Sequence, residues 1–243
     1  MKNSLPALTL CELDDPGLPG TPSWSPFCLK VHRALTALGL PYARRHGARP
    51  DAHRALNPAA QVPVLLFGDE PVADSTRILA RLDEELGGRL GGDLDPRARA
   101  ESRMWEELAD TAINGFVVAA RWVDPDNWPR TKAAYFAGMP AVVRAVVPGR
   151  LRAGVRAALV SRDVLRAGEA ACWERFERAL SDLDERAPDV GSFWVAPTPS
   201  FADFALWGQL HALRTPLTPR QAASLAARPR LSRYVDAVGA LCA

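Results

Sequence analysis

The sequence predicts an α/β domain followed by an all-helical domain, and three observations carry that reading. Up to Leu86, stretches of strand-like alternation and stretches of helical spacing take turns. From Pro96 onward every patterned stretch has helical spacing. Between them lies the glycine-rich run Gly87-Gly88-Arg89-Leu90-Gly91-Gly92, which reads as a linker. A glycine-rich phosphate loop would need a strand before it and a helix directly after it, and this run has neither. The expected boundaries are therefore residues 1–86, a linker at 87–95, and a helical domain at 96–243.

Leu8 to Leu13 alternates and predicts the first strand, followed by a Pro- and Gly-rich loop from Asp14 to Trp24. From Pro26 to Leu38 the apolar residues Phe27, Val31, Ala34, Leu35 and Leu38 recur at helical spacing. Ser25 stands as N-cap, Pro26 at the first helical position, and Gly39 at the end. Tyr42–His46 is a short strand, Val62–Phe67 a buried strand, Gly68-Asp69 a turn and Glu70–Ala73 a return strand. Asp74 or Ser75 then caps a helix carrying Ile78, Leu79, Leu82 and Leu86. In the second part Pro96–Trp122 reads as one long amphipathic helix. Further helices are expected near Pro129–Ala137, Pro140–Val160, Asp163–Arg186, Ser200–Leu213, Pro219–Ala227 and Pro229–Leu241.

With 243 residues, 48% hydrophobic and 24% charged, the composition is globular, and a net charge of +2 demands neither nucleic acid nor an acidic membrane. Four widely spaced cysteines (Cys11, Cys28, Cys172, Cys242) form neither a C-x-x-C pair nor a zinc spacing, which points to a reducing, cytoplasmic setting. The stretch Met1 to Leu13 is too weak for a signal peptide, and no run reaches about 18 apolar residues. The four histidines share no metal spacing, so no metal is expected. Between Asp126 and Asp163 there is no acidic residue, while seven basic residues accumulate. A solvated basic face balanced by the acidic stretch Asp163–Asp189 is preferred to a membrane-binding one.

Three short motifs carry chemistry. Ser25-Pro26-Phe27-Cys28 places a hydroxyl at a helix N-terminus, where about half a positive charge and unpaired N–H groups favour a thiolate. On spacing alone, a plain N-cap explains Ser25 better. Cys28, one turn in, reads as a small core residue before a reactive one. Val62-Pro63 opens a strand with a proline, which suits either an edge position or a cis bond that leaves the Val62 backbone open to an extended ligand. Asp74-Ser75 brings a carboxylate and a hydroxyl to a second helix start. That set suits an amino-acid zwitterion and, at even odds, a simple cap.

Taken together and in order, Ser-Pro-Phe-Cys-x-Lys-Val, then Asn57-Pro58-x-x-Gln61-Val62-Pro63-Val64-Leu65, then Asp74-Ser75-x-x-Ile78 resemble the N-terminal domain of glutathione S-transferases. Pro199-Ser200-Phe201-Ala202-Asp203 resembles that family's capping box on a core helix, which we assign to folding. A looser resemblance, Trp122-x-Asp124-x-x-Asn127-Trp128-x-x-x-Lys132 with Pro140 and Arg144, is to the metaxin and failed-axon-connections branch.

The resemblance implies a thioredoxin-like first domain. Ser25 would hold the glutathione sulfur as thiolate, and Val62 would pair with the cysteinyl part beside a cis Pro63. Asp74 and Ser75 would take the γ-glutamyl end, and Trp105, Phe116 and Trp122 would bed a small hydrophobic electrophile. A homodimer is implied, with no nucleic acid and no membrane partner. The loop Asp14–Trp24 is longer than the family usually carries, and it either covers the site or displaces Ser25. The expected reaction is transfer of glutathione to an electrophile. The alternatives are a glutathione-dependent oxidoreductase working through Cys28, or a binding protein that keeps the fold without catalysis.

Overall fold

The computed structural model describes residues 5–91 and 94–242. Met1–Ser4, and Gly92 and Asp93 of the expected linker, lie outside the described residues.

Strand β1 (Leu8–Leu13) is the second strand of a four-stranded sheet ordered β2-β1-β3-β4. It runs parallel to β2 (Tyr42–Gly47) and antiparallel to β3 (Val64–Phe67), which pairs antiparallel with β4 (Glu70–Ala73). All four residues of β3 are buried, as its unbroken apolar run requires. Helix α1 (Pro26–Ala37) and helix α2 (Ser75–Glu85) pack on the sheet. Leu10, Val31, Leu35, Leu65, Ile78 and Leu79 form a core with no solvent exposure. A single 3₁₀ turn, Pro50–His53, lies between β2 and β3. This is the thioredoxin-like arrangement, and a helical domain follows it.

The long helix anticipated from Pro96 to Trp122 is continuous in direction but changes its winding. Helix α3 (Pro96–Leu108) passes through a π-helical turn, Ala109–Ile113, into α4 (Asn114–Trp122). Periodicity could not show this turn, because one extra residue in a helix looks like noise in a hydrophobic pattern. Then come α5 (Trp128–Phe136), α6 (Ala141–Ser161), α7 (Gly168–Arg186), α8 (Phe201–Leu213), α9 (Pro219–Ala226) and α10 (Pro229–Gly239). Helix α7 starts five residues later than Asp163, since Asp163 has a positive φ of 65° and ends the turn after α6. Several arginines of the basic stretch are engaged within the fold. Arg152 donates to the Trp122 and Val123 carbonyls and stacks on Trp128, and Arg156 pairs with Glu169 at 2.6 Å.

Helix α8 holds the two halves together. It begins in the anticipated box, where Asp203 accepts the backbone N–H of Ser200 at 2.8 Å and also receives Trp194 N–H and Tyr234 Oη. Phe204 of α8 belongs to the core of the α/β domain, and Leu29 of α1 belongs to the helical core. Each burial is worth roughly 1.5–3 kcal/mol. Between them Gly208 lets α8 touch the first turn of α1, since a Cβ there would lie 2.6 Å from the Pro26 carbonyl oxygen. The start of α1, and Ser25 with it, is therefore positioned by the second domain.

Candidate functional site

Ser25 is the N-cap of α1, in extended backbone, and its Oγ accepts the Cys28 N–H at 3.3 Å. Its own N–H is held by the Oγ of the fully buried Ser23 at 3.3 Å. A hydroxyl carries one hydrogen and two lone pairs, so capping engages an acceptor and the O–H remains a donor. The cap and the thiol-binding readings of Ser25 therefore do not compete.

A cavity of about 250 Å³ lies between the start of α2 and the chain leading into β3. Phe27, Asn57, Gln61, Val62, Pro63, Asp74, Ser75 and Arg77 are among its lining residues. The Val62–Pro63 bond is cis. Among the described residues no hydrogen bond engages the Val62 backbone. Asp74, the N-cap of α2 at φ 81°, uses Oδ1 to accept both Thr76 N–H (3.0 Å) and Arg77 N–H (3.2 Å). Its Oδ2 is open. The residue is exposed while Ser75 beside it is buried. The four residues Val62, Pro63, Asp74 and Ser75 thus share one cavity whose polar groups suit a zwitterion. Asn57, Gln61 and Arg77 add to it, and the first two lay within the motif already read.

A second cavity, about 220 Å³, shares Phe27 and Val62 with the first and includes Ser25. Its other walls are Leu13, Trp24, Val117, Val118, Arg121, Trp122 and Tyr135, with Asn114 below. Trp122 stacks obliquely against Tyr135 at 5.6 Å, and Tyr135 lies 6.5 Å from Trp24. Of the three aromatic residues anticipated as a bed for the electrophile, only Trp122 is here. Trp105 packs edge-on to Trp194 at 5.2 Å, and Phe116, 5% exposed, packs on Phe176 of α7. Those two, about three turns apart on one helix, share a face that is turned toward α7 and the chain after it. Trp24, Arg121 and Tyr135 take their place. Arg121 had left a signal, as the one charge in an otherwise apolar stretch from Gly115 to Val123.

The loop Asp14–Trp24 frames this site without filling it. Leu13 and Trp24 wall the cavity, while Thr21 reaches His211 of α8 (Oγ1 to Nε2, 3.2 Å) and Arg44 donates to the Pro22 carbonyl. Cys28 points away. It is fully buried, and burial, with the nearby Glu12 carboxylate, pushes its thiol up to about 12, against the pull of the Ser25 and Ser23 hydroxyls. A thiol so placed is a packing group. A further cavity, about 550 Å³, lies between α1, α8 and α10 and includes none of the motif residues discussed above.

A thioredoxin-like domain joined to a helical bundle, with paired cavities at the start of α1, defines a class of two-domain, thioredoxin-fold proteins. Residues 26–127 match the family model for the glutathione S-transferase N-terminal domain, and residues 150–237 match that for the C-terminal domain. The chain belongs to the glutathione S-transferase superfamily. It is 34% identical over 98 residues to a probable glutathione S-transferase of Oryza sativa subsp. japonica, a match covering 37% of this chain and 42% of that one. A probable glutathione S-transferase of Glycine max is 32% identical over 97 residues, 38% and 43% of the two chains. The chain thus matches less than half the length of these curated relatives. Among solved structures, a Phanerochaete chrysosporium glutathione transferase superposes with a TM-score of 0.63 at 18% identity over 98% of both chains. One from Methylobacterium radiotolerans, in complex with glutathione sulfonate, gives 0.60 at 21% identity over 96% of this chain and 91% of that one. At such identities these likenesses speak to the fold alone.

Proposed function

We propose that this protein is a glutathione transferase that adds the glutathione thiolate to a small, largely apolar electrophile. One observation carries the reading: the two cavities share Phe27 and Val62, and Ser25, two residues before Phe27, lines the second. Glutathione would lie in the first cavity, with its γ-glutamyl end on Asp74 and Ser75 and its cysteinyl part along the Val62 backbone. The sulfur would then lie at Ser25. There the Ser25 O–H donates to the thiolate, and the N-terminus of α1 favours the negative charge, so the thiol proton passes to solvent near neutral pH. The sulfur then attacks an electrophilic carbon held against Trp24, Trp122 and Tyr135. A sulfur–carbon bond forms and the leaving group departs with its electron pair. The rate gain comes from the lowered thiol pKa and from holding two reactants together.

The buried, fully raised thiol of Cys28 speaks against the oxidoreductase alternative. A two-fold homodimer and a cytoplasmic setting belong to the same proposal. All four cysteines are free, as a reducing compartment would keep them. Among the described residues no helix is long and apolar enough to cross a membrane.

The test is calorimetric titration with glutathione, followed by conjugation to 1-chloro-2,4-dinitrobenzene. Binding with turnover is the expected result. Binding without turnover would leave a non-catalytic member of the superfamily, and no binding would end the proposal. Light scattering at micromolar concentration tests the dimer, which a mass of 26.4 kDa would exclude.

A further inference from the structure

Arg121 is 3% exposed, and among the described residues no carboxylate pairs with it. Its partners are all neutral. Nη1 donates to the Trp24 carbonyl (2.5 Å) and Tyr135 Oη (3.2 Å), and Nη2 donates to the Ala212 carbonyl (2.9 Å). Its Nε–H is buried and has no partner. A guanidinium offers five N–H donors, so these bonds leave donors unengaged. Two other buried charges of this molecule are paired with opposite ones. Lys30 is held between two carboxylates, and the buried Asp124 is met by Arg220. A buried charge without a counter-ion is costly, and its field is felt most strongly in an adjoining low-dielectric space.

That space is the cavity beside Ser25, which Arg121 lines together with Trp24, Trp122 and Tyr135 and in which no acidic residue takes part. Resting on the transferase reading above, we infer that Arg121 is a specificity-determining residue. The preferred electrophile is an aromatic or otherwise flat apolar molecule bearing a carboxylate or an equivalent anionic oxygen group. The ring lies against the aromatic walls, and the anionic group supplies the charge that the fold withholds from Arg121. Arginine suits this task because its planar fork binds a carboxylate by two parallel N–H bonds.

The experiment compares 4-chloro-3-nitrobenzoate with its methyl ester, two aryl chlorides of one shape that differ in charge. In each the glutathione sulfur bonds to the ring carbon, and chloride leaves with the C–Cl electron pair. Rates are divided by the uncatalysed rate of each compound. Binding is read separately from quenching of tryptophan fluorescence by the nitroaromatic ring, so that it does not depend on turnover. The expected result is that the acid is favoured over the ester by about tenfold or more in both readouts. Arg121→Gln should erase that preference, and Arg121→Lys should keep part of it. Equal handling of acid and ester by the parent protein would overturn the inference even if neither variant folded. So would a preference that survives Arg121→Gln. Should neither compound turn over, the binding ratio still decides this inference, and the titration and 1-chloro-2,4-dinitrobenzene assay above decide the transferase reading separately.

Discussion

The Lys30 ammonium lies 2.6 Å from the Asp110 carboxylate and 2.6 Å from Glu106, across the seam between the two domains. Lys30 comes from α1, has no solvent exposure, and also donates to Thr76 Oγ1 at 3.1 Å. Thr76 in turn donates to Glu106, and Gln209 of α8 reaches Asp110. Asp110 sits in the π-helical turn and Glu106 in the last turn of α3, so the tie to α1 is made where the long helix changes its winding. Removing one member of a buried ion cluster strands the others. Lys30→Met should therefore cost about 3–5 kcal/mol, read as a lower urea midpoint. Replacing Glu106 and Asp110 by leucine as well should restore much of it. An unchanged midpoint in the single variant would show that the cluster is not a net support of the seam.

Thiol activation is assigned to Ser25 and not to Cys28. Ser25→Ala should raise the pKa of bound glutathione by about one to two units, the equivalent of a hydrogen bond to a charged group. It should slow conjugation at neutral pH while affinity changes little. Some stability is lost as well, about 1 kcal/mol, because the same side chain caps α1. Cys28→Ser should leave conjugation nearly intact. The measurement is thiolate absorbance of bound glutathione against pH, with rates for both variants. Turnover lost in Cys28→Ser and kept in Ser25→Ala would reverse the assignment.

Asp74 offers a cleaner probe of the glutathione grip than its side-chain contacts first suggest. Truncation to alanine would remove a cap as well as a charge, because Oδ1 holds two N–H groups of α2. Asparagine keeps an acceptor for those groups and tolerates the positive φ of 81°. Asp74→Asn should weaken glutathione binding by about 1.5–3 kcal/mol with a small change in melting temperature. Equal heats of binding in mutant and parent would remove Asp74 from the site.

His211 should make the molecule sensitive to mild acid. Burial, helped by the neighbouring Arg214 guanidinium, pushes its imidazole down to about 4, against an ordinary value of 6.5. Between those values the unfolded chain binds more protons than the folded one. The stabilisation is thus fully present above pH 6.5 and lost as pH falls toward 4. The gap sets an upper limit of roughly 3 kcal/mol. Because the ring bonds Thr21, the loop from Asp14 to Trp24 should loosen from α8 over that range. Thermal melts from pH 7.5 to 4.5 should show a drop that His211→Asn flattens. Parallel curves for the two proteins would place the acid sensitivity elsewhere.

Much of this architecture was legible because its signals are local. Ser25, Asp74 and Ser200 stand at the starts of α1, α2 and α8, as a capping side chain declares itself within three residues of the N–H it serves. Proline at the first turn marked α1, α3, α9 and α10 for the same reason. Likewise the residues around the first cavity arrived as three motifs in order, each held to its place by a strand end or a helix start.

The walls of the second cavity were not legible in that way. Trp105, Phe116 and Trp122 are alike in a hydrophobic pattern, and a helix packed on several sides carries apolar residues on more than one face. Only the packing of α7 and the chain after it decided that Phe116 is core, that Trp105 packs against that core, and that Trp122 is left beside Ser25. Trp24 reaches the same cavity from the end of the loop before α1 and Tyr135 from the last turn of α5, so no spacing connects them. The sequence alone determined the order of elements, the caps, and the motif at the start of α1, because those depend on neighbours along the chain. Tertiary structure decided that α8 seats Ser25 through Gly208, and that the guanidinium of Arg121 is enclosed without a carboxylate. Both are facts about which surfaces meet, and a charge acquires or lacks its counter-ion only once distant segments have closed around it.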